Sequence, residues 1–415
     1  MATKKKSPAT KKTTKKTAQA KKLVQKIVKV KKVVSVRKKD YGALSLVRHK
    51  KMHGKLSVTP KAHLETRDDW STFYTPGVAA VSSYVAKHPE TAREYTIKRN
   101  TVAVISDGSA VLGLGNIGAL GALPVMEGKC VIFKEMADVD AFPIVLDTQD
   151  TEEIIATVKH IAPGFGGINL EDIGAPKCFE IEARLKKELP IPVMHDDQHG
   201  TAIVVLAGLI NAATVVKKHV KKMKVVIVGA GAAGRATALL LHLYGIEDII
   251  VIDSAGAIES SRAGLIPYKR GLAKITNPRG VTGALDVAVE GADVLVGVSG
   301  PGTIAVGHVE KMAERAVVFA LANPIPEIMP EDAKRAGAVV VATGRSDFPN
   351  QVNNSLAFPG LFRGALDRGV RDITDEMKLV AAKKLAALVK KPTAENIIPS
   401  VTTKGLVAAI SSAVR

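Results

Sequence analysis

The chain has 415 residues, of which 46% are hydrophobic and 35 are glycine, and this composition predicts a soluble α/β protein of two or three domains. Its two cysteines, Cys130 and Cys178, exclude a disulfide framework and favour a reducing, cytoplasmic location, and the absence of any uninterrupted apolar run of about 18 residues predicts no membrane span. The net charge of +19 suggests a polyanionic partner. Where that charge lies in the sequence determines which part of the chain would bind such a partner.

Residues 1–39 carry most of the positive charge. They contain sixteen lysines and arginines and no acidic residue, and removing them from the total of 59 leaves 43 basic residues against 40 acidic ones. Low-complexity sequence of this kind cannot form a hydrophobic core, so we predict a disordered, Lys-rich tail over residues 1–40. Its role stays open between a solubilising extension and attachment to nucleic acid or another acidic surface.

The first globular segment begins near residue 43. The sequence Tyr-Thr-Pro-Gly at residues 74–77 predicts a turn before a helix that runs to about residue 87. A buried strand at residues 101–107 is followed by a Gly-x-Gly-x-x-Gly motif, and a second strand is predicted at residues 130–133. Lys129 directly precedes that second strand, where a lysine is either a solvated edge residue or, if desolvated near a cation, a base with a lowered pKa.

Two pairs of adjacent carboxylates follow predicted strands. Glu171 and Asp172 form the first pair, and about 25 residues later Asp196 and Asp197 lie where a strand end passes towards a helix expected from about Ala202. Charge of one sign this dense is unfavourable unless a cation or solvent offsets it. The pairs are therefore either solvated turns or an oxygen-rich site for Mg²⁺ or Mn²⁺.

A second domain is predicted to begin with the basic turn at residue 217. Beyond it lie a strand, a second Gly-x-Gly-x-x-Gly motif, a helix of small residues and a strand that ends in an acid 19 residues past the third glycine. Dinucleotide sites need this order, because the glycines admit the pyrophosphate and the acid binds the ribose. The predicted cofactor residues are Gly229, Ala230, Gly231, Ala232, Ala233, Gly234 and Asp253. The first glycine motif has no such acid and indicates tight packing or a substrate loop.

Further strands are predicted at residues 294–298, 317–321 and 338–342. Asn323 follows the second of them, at the sheet edge where parallel sheets bind ligands. The predicted class is α/β with two domains: an α/β substrate and metal domain over residues 41–216 and a Rossmann-type dinucleotide-binding domain with a parallel sheet over residues 217–395. Residues 396–415 are expected to form a helix that packs back on the core.

Seven short motifs occur in one order from residue 43 to the end of the chain. They are residues 74–78, residues 106–109 with the first glycine motif at 113–118, and residues 127–129, 169–172, 195–201, 322–324 and 353–360. Together they closely resemble the short bacterial and archaeal type of malic enzyme. The resemblance implies oxidative decarboxylation of L-malate to pyruvate and CO₂, with reduction of NAD or NADP, a requirement for Mg²⁺ or Mn²⁺, and a homodimer.

The resemblance also implies a role for individual residues. Lys129 matches the general base that takes the C2 hydroxyl proton, and Tyr74 matches the acid that protonates C3 of the enolpyruvate, in a network with Lys129. Glu171, Asp172 and Asp197 match the metal ligands, with Asp196 as a supporting neighbour, and Lys129, Asn323 and Asn354 match substrate-binding positions, Asn323 also facing the cofactor. One departure is Ala110, where the larger eukaryotic enzymes have an arginine for the substrate carboxylate; the asparagines, the metal and Ser109 are expected to replace it.

Two questions stay open at this point. Asp253 favours NAD through the ribose hydroxyl and by repelling a 2′-phosphate, whereas Arg262, Lys269 and Arg270 are close enough in sequence to offset that preference. The rival enzyme class is a metal-free dehydrogenase of another 2-hydroxy or 2-amino acid, which would release no CO₂.

Overall fold

A computed structural model describes residues 40–415, and the predicted tail of residues 1–39 lies outside the described residues. Binding of a polyanion by that tail therefore stays a prediction. The first described helix, α1, spans Tyr41–Met52 and belongs to a unit that ends at Gly54. The Asp40 side chain caps it by accepting a hydrogen bond from the amide of Ala43, and none of its residues is buried.

All other elements lie in the unit Lys55–Arg415, which contains two sheets. The first sheet has four parallel strands in the order β2-β1-β3-β4. Its strands are β1 (Thr101–Ser106), β2 (Asp140–Val145), β3 (Gly167–Leu170) and β4 (Val193–His195). Strands β1 and β3 are buried along their whole length, as expected for parallel strands covered by helices on both faces.

The second sheet has six strands in the order β10-β9-β8-β5-β6-β7, all parallel except the edge strand β7. The strands are β5 (Val225–Val228), β6 (Ile249–Asp253), β7 (Gly256–Ala257), β8 (Val294–Gly297), β9 (Val317–Ala320) and β10 (Val340–Thr343). Strand β6 lies on one side of β5, and the next long strand, β8, lies on the other side. The strand order therefore reverses at β5, which places a ligand crevice at the carboxyl ends of these strands. The predicted α/β class with a Rossmann-type parallel sheet is confirmed. The domain limits at residues 40, 216 and 395 stay predictions.

Fifteen α-helices of the described part of this unit connect and cover the sheets. Numbered α2 to α16 in chain order, they are Arg67–Phe73, Val78–Lys87, Ala92–Tyr95, Gly118–Ala137, Thr151–Ile161, Lys177–Glu188, Asp196–Val215, Ala232–Tyr244, Pro267–Ala273, Leu285–Ala288, Val306–Glu310, Pro330–Arg335, Phe358–Arg368, Asp375–Ala387 and Leu406–Ser411.

The predicted strand at residues 130–133 is wrong, because this stretch lies inside the helix α5. The run Cys-Val-Ile-Phe has the composition of a buried strand, but the buried positions of α5 recur every three to four residues. They are Ala122, Met126, Lys129, Cys130, Phe133 and Ala137. Lys129 therefore lies on the buried face of a helix rather than at the entrance to a strand.

Helix α8 forms the centre of the core. It begins at Asp196, six residues before the predicted start, and packs against α9 and α15. Among the described helices it alone is long and apolar enough to cross a membrane, but 72% of the relevant stretch is buried inside the protein. Its apolar composition is therefore explained by burial. Cys130 and Cys178 are both free and buried, and burial raises the pKa of each thiol to about 12.

Candidate active site

The Lys129 ammonium group lies between two buried carboxylates. It donates a hydrogen bond to Oδ2 of Asp196, and its Nζ is 2.8 Å from Oε1 of Glu171. The ring of Phe358 covers the ammonium at 4.4 Å from the ring centroid. A charged amine in this position is shielded from water on one face and held in a fixed direction by its two acidic partners.

One of these partners, Glu171, belongs to a carboxylate cluster at the carboxyl ends of β3 and β4. Carboxylate oxygens of Glu171, Asp172 and Asp197 all lie within 4.8 Å of one another. The backbone N–H of Asp172 donates to Oδ2 of Asp197 at 2.8 Å, which ties the two strand ends together. Burial and the charge of Asp197 raise the pKa of Glu171 well above its ordinary value, and Lys129 offsets this only in part.

This donor set fits a hard divalent cation. Three carboxylates within a few ångströms repel one another, and a cation removes that repulsion. Oxygen ligands of this kind are those that Mg²⁺ and Mn²⁺ prefer. The structure thus brings together the three residues predicted as metal ligands, and Asp196 lies beside them, bonded to Lys129.

The pKa of Lys129 differs from the expectation drawn from the sequence. Burial alone would lower it, but Asp196 and Glu171 outweigh burial and hold the pKa above its ordinary value. The expected lowering therefore depends on a cation that takes up the charge of these carboxylates. The structure places the lysine beside the predicted metal ligands, although on a helix and not before a strand, and its charge state is set by its acidic neighbours.

The two predicted substrate asparagines lie in different surroundings. Asn354 packs against Gly200 in the first turn of α8, next to Asp196; a Cβ on Gly200 would be 2.9 Å from the Cβ of Asn354 and 2.0 Å from Oδ1 of Asp196. Asn323 follows β9 at the carboxyl edge of the second sheet, where its carbonyl oxygen would be 2.0 Å from a Cβ on Gly113. The first glycine motif therefore packs against the end of β9.

The Ser109 hydroxyl is engaged within its own turn. It donates to Oδ1 of Asp107 at 2.6 Å and accepts from the N–H of Gly174 at 2.8 Å. These bonds connect the loop after β1 to the loop that follows Asp172. Ser109 thus fixes the loop after β1. Binding of a substrate carboxylate by its hydroxyl stays a prediction.

The second glycine motif has the geometry of a dinucleotide-binding turn. Gly229 has φ of +114°, and a Cβ on Gly234 would lie 1.8 Å from the carbonyl oxygen of Gly229, so helix α9 approaches the end of β5 closely. Gly231, the N-cap residue directly before α9, would meet nothing within 4 Å of an added Cβ. The turn therefore leaves open space at the helix N-terminus, where the diphosphate of a dinucleotide binds.

Asp253, the predicted ribose ligand, is neutralised by two cations. Both of its oxygens accept from the Arg262 guanidinium, and Oδ2 also accepts from Lys269 Nζ at 2.7 Å. Although burial opposes ionisation, these hydrogen bonds lower the pKa of Asp253 to about 2. Of the three cations predicted from the sequence to offset this acid, Arg262 and Lys269 thus form one cluster with Asp253, and a part for Arg270 stays a prediction.

Tyr74 is not brought to this site within one chain. It follows α2, its side chain is 63% exposed, and among the described residues it makes no hydrogen bond to Lys129. The network expected between Tyr74 and Lys129 therefore stays a prediction. Helices α2 and α3, which flank Tyr74, bury none of their residues.

Glu182 is a structural part of the site that the sequence analysis missed. It lies on the buried face of α7, and its carboxylate accepts hydrogen bonds from the residues that surround Asp196 and Asp197. The available signal was its spacing, since Glu182 lies four residues after Cys178 and three before Leu185, on the apolar face of an amphipathic helix. An acid on such a face calls for a buried partner.

Two family profiles match the chain. The first is described as malic enzyme, N-terminal domain, and matches residues 53–186; the second is malic enzyme, NAD binding domain, and matches residues 198–414. A protein named NAD-dependent malic enzyme from Geobacillus stearothermophilus is 56% identical over 363 residues, covering 87% of this chain and 76% of the relative. A bifunctional malic/malolactic enzyme from Bacillus subtilis is 52% identical and covers 88% of this chain and 90% of the relative.

Solved structures give the same result. The malic enzyme of Pyrococcus horikoshii aligns with a TM-score of 0.84 at 49% identity, covering 89% of each chain. The NAD-dependent malic enzyme of Thermotoga maritima aligns with a TM-score of 0.86 at 47% identity, covering 89% of this chain and 98% of the other.

Proposed function

Because the chain belongs to the malic enzyme family, we infer that it catalyses the oxidative decarboxylation of malate to pyruvate and CO₂ with reduction of a nicotinamide dinucleotide. The observation that supports this most directly is the buried Lys129 ammonium, held between Asp196 and Glu171 beside a cluster of three carboxylates. A metal-free dehydrogenase has no use for such a cluster, which favours the decarboxylating reaction over that rival.

The residues of this chain are proposed to act as follows. The neutral amine of Lys129, the form favoured once a cation offsets the charge of Glu171 and Asp196, would take the proton of the substrate C2 hydroxyl, and Asp196 orients the amine for that transfer. Asn354, which lies beside Asp196, contributes to substrate binding. Glu171, Asp172 and Asp197 would hold a divalent cation, which would supply Lewis-acid stabilisation of the negative charge that develops on substrate oxygens. Phe358 keeps water from one face of the amine.

The nicotinamide cofactor is proposed to bind at the second glycine motif, with NAD preferred over NADP. Asp253 accepts from the ribose hydroxyl in that arrangement, while Arg262 and Lys269 keep its charge from excluding a 2′-phosphate completely. The relatives carry both cofactor names, since the Geobacillus enzyme is named NAD-dependent and one from Rhizobium meliloti is named NADP-dependent. We therefore expect measurable activity with both nucleotides.

Substituting Asp253 by serine is expected to shift the preference towards NADP. The change releases Arg262 and Lys269 to bind a 2′-phosphate, and charge-assisted hydrogen bonds of this type correspond to about a tenfold or greater rise in the ratio of kcat/KM for NADP over NAD. Steady-state kinetics with both nucleotides measures the ratio. The double variant Asp253→Ser/Arg262→Gln serves as the control and should lose most of the gain; an unchanged ratio in the single variant would remove Asp253 from cofactor selection.

A homodimer is proposed, and the surface around Tyr74 supports it. Trp70, Phe73 and Tyr74 are spaced along one face at the end of α2, and each is more than half exposed. Val78 and Val81 continue the apolar character on α3. Exposed apolar surface of this extent marks an interaction site. With a second copy on this surface, Tyr74 lies at the contact, where it can serve as the acid in the partner's site.

Mixed dimers test this arrangement. One copy carries Tyr74→Phe and the other Lys129→Ala, so that a site shared between copies contains one intact tyrosine and one intact lysine. We expect the purified hybrid to recover up to about half of the wild-type activity, while both parent variants lose it. A hybrid as inactive as its parents would show instead that Tyr74 reaches Lys129 of its own chain.

The cytoplasmic location is likewise proposed. Both cysteines are buried as free thiols, and burial raises their pKa values, which suits a reducing compartment.

A further inference from the structure

The Glu182 carboxylate accepts three hydrogen bonds from the turn at residues 195–199, where β4 passes directly into the first turn of α8. Its Oε1 accepts from the backbone N–H of His195 at 2.9 Å, and its Oε2 accepts from Gln198 Nε2 at 3.0 Å. The Nε2 of His199 lies 2.9 Å from Oε1 and 3.0 Å from Oε2. Since an ionised carboxylate only accepts, these contacts assign the proton of His199 to Nε2 and orient the amide of Gln198.

In the sequence, the three donors lie on both sides of Asp196 and Asp197. His195 immediately precedes Asp196, which is bonded to Lys129, and Gln198 immediately follows Asp197, which belongs to the carboxylate cluster. No side chain caps the N-terminus of α8 otherwise. The turn that presents both aspartates is therefore anchored on each side by one residue of a different helix, α7.

Glu182 does not have the properties expected of a residue that only fills space. It is 6% exposed and lies on the same helix face as Cys178, Ile181 and Leu185, where an apolar side chain would pack without any cost of burying a charge. Its hydrogen bonds all go to one turn. Its position thus favours a role in fixing the geometry of that turn.

We propose that Glu182 is a positioning residue that holds Asp197 and Asp196 in the orientation required to bind the divalent cation and to align Lys129. The proposal rests on the proposed function for the identity of the cation, and it deepens that function by assigning a residue that touches neither the substrate nor the carboxylate cluster. Residues that orient metal ligands through hydrogen bonds, without binding the metal themselves, typically contribute about 10- to 100-fold to metal affinity or activity.

The test compares Glu182→Gln with Glu180→Gln in the full chain. Glutamine preserves the size of Glu182 but removes its charge and replaces one acceptor by a donor, so the contacts to the turn cannot all be kept. Glu180 is on the same helix with an exposed side chain, which makes it a matched control. Binding of Mn²⁺ alone is measured from the electron paramagnetic resonance signal of the free ion, and binding of the reduced dinucleotide from its fluorescence.

We expect the dissociation constant for Mn²⁺ to rise by about tenfold or more in Glu182→Gln, with dinucleotide binding and the Glu180→Gln control unchanged. The activity lost at low Mn²⁺ should largely return at saturating Mn²⁺, which a general loss of stability would not produce. Unchanged Mn²⁺ binding in a folded Glu182→Gln protein would overturn the proposal. A wild-type chain that binds Mn²⁺ but does not decarboxylate malate would instead overturn the proposed function alone.

A second variant applies if Glu182→Gln does not fold. His199→Asn removes one of the three donors and leaves the carboxylate bonded to the other two, so we expect the fold to be retained, and circular dichroism is recorded to establish it. Weaker Mn²⁺ binding in this variant, by several-fold to about tenfold, supports the same role. Wild-type affinity in His199→Asn together with an unfolded Glu182→Gln would show that Glu182 serves folding only, and the proposal would be wrong.

Discussion

Lys129→Ala is expected to lower kcat by about 10² or more while dinucleotide binding survives, on the scale that general-base catalysis contributes. The alanine has no group to take the C2 hydroxyl proton, whereas the second glycine motif lies on the other sheet and does not depend on the lysine. Single-turnover kinetics with malate and Mn²⁺, combined with a dinucleotide titration, separates the two effects.

The control for this variant lies on the same helix. Lys134 belongs to the last turn of α5, and its exposed ammonium pairs with Asp138 and Asp140, so Lys134→Ala should stay within about threefold of wild-type activity. Because Lys129→Ala also leaves two buried carboxylates unpaired, circular dichroism is recorded first to establish that the variant is folded. Retained turnover in folded Lys129→Ala would remove Lys129 from its role as the base.

Asp197→Asn is expected to lower kcat/KM for malate by about 10² or more at low Mn²⁺, since a site that loses one of three carboxylates holds the cation less tightly. Asparagine keeps an oxygen that can accept from the backbone N–H of Asp172, so the connection between β3 and β4 survives. Calorimetric titration with Mn²⁺ should show weaker binding of the ion, with the melting temperature in chelator close to that of the wild type.

An exposed acid in the part of the chain that forms the second sheet provides the comparison for this variant. Glu290 has no ion pair among the described residues, and Glu290→Gln should leave both Mn²⁺ binding and activity within about twofold of wild type. If Asp197→Asn binds Mn²⁺ as tightly as the wild type does, the cluster of Glu171, Asp172 and Asp197 is not the metal site.

Much of the fold could be predicted from the sequence because several strands, such as β3, β5 and β6, are short apolar runs that end at a glycine or an acid. The runs at residues 225–228 and 249–253 gave the position of the dinucleotide-binding motif, and the structure places them as neighbouring parallel strands. The failure at residues 130–133 has a physical cause. Four consecutive apolar residues suit a buried strand or a buried helix equally, and only the spacing of the buried residues over the whole of α5 separates the two.

Site residues could be predicted where they directly follow a strand. They could not be predicted where the contact joins residues that are far apart in sequence and lie on different kinds of element. Glu171 and Asp172 follow β3, Asp196 and Asp197 follow β4, and pairing of these two strands brings the acids together. Glu182 reaches the same turn from a helix, which no local pattern reveals. For Tyr74 the motif predicts a catalytic role, but its side chain is exposed, so its part in the site stays a prediction.

The measurement that tests the account most directly is the reaction of the purified chain with malate, Mn²⁺ and either NAD⁺ or NADP⁺. We predict that CO₂ and reduced dinucleotide are formed in equal amounts. Both products should be lost when a chelator is added and should form again when Mn²⁺ is restored in excess. Dinucleotide reduction without CO₂, or turnover that continues in chelator, would contradict it, because Glu171, Asp172 and Asp197 would then be a carboxylate cluster without a part in the chemistry.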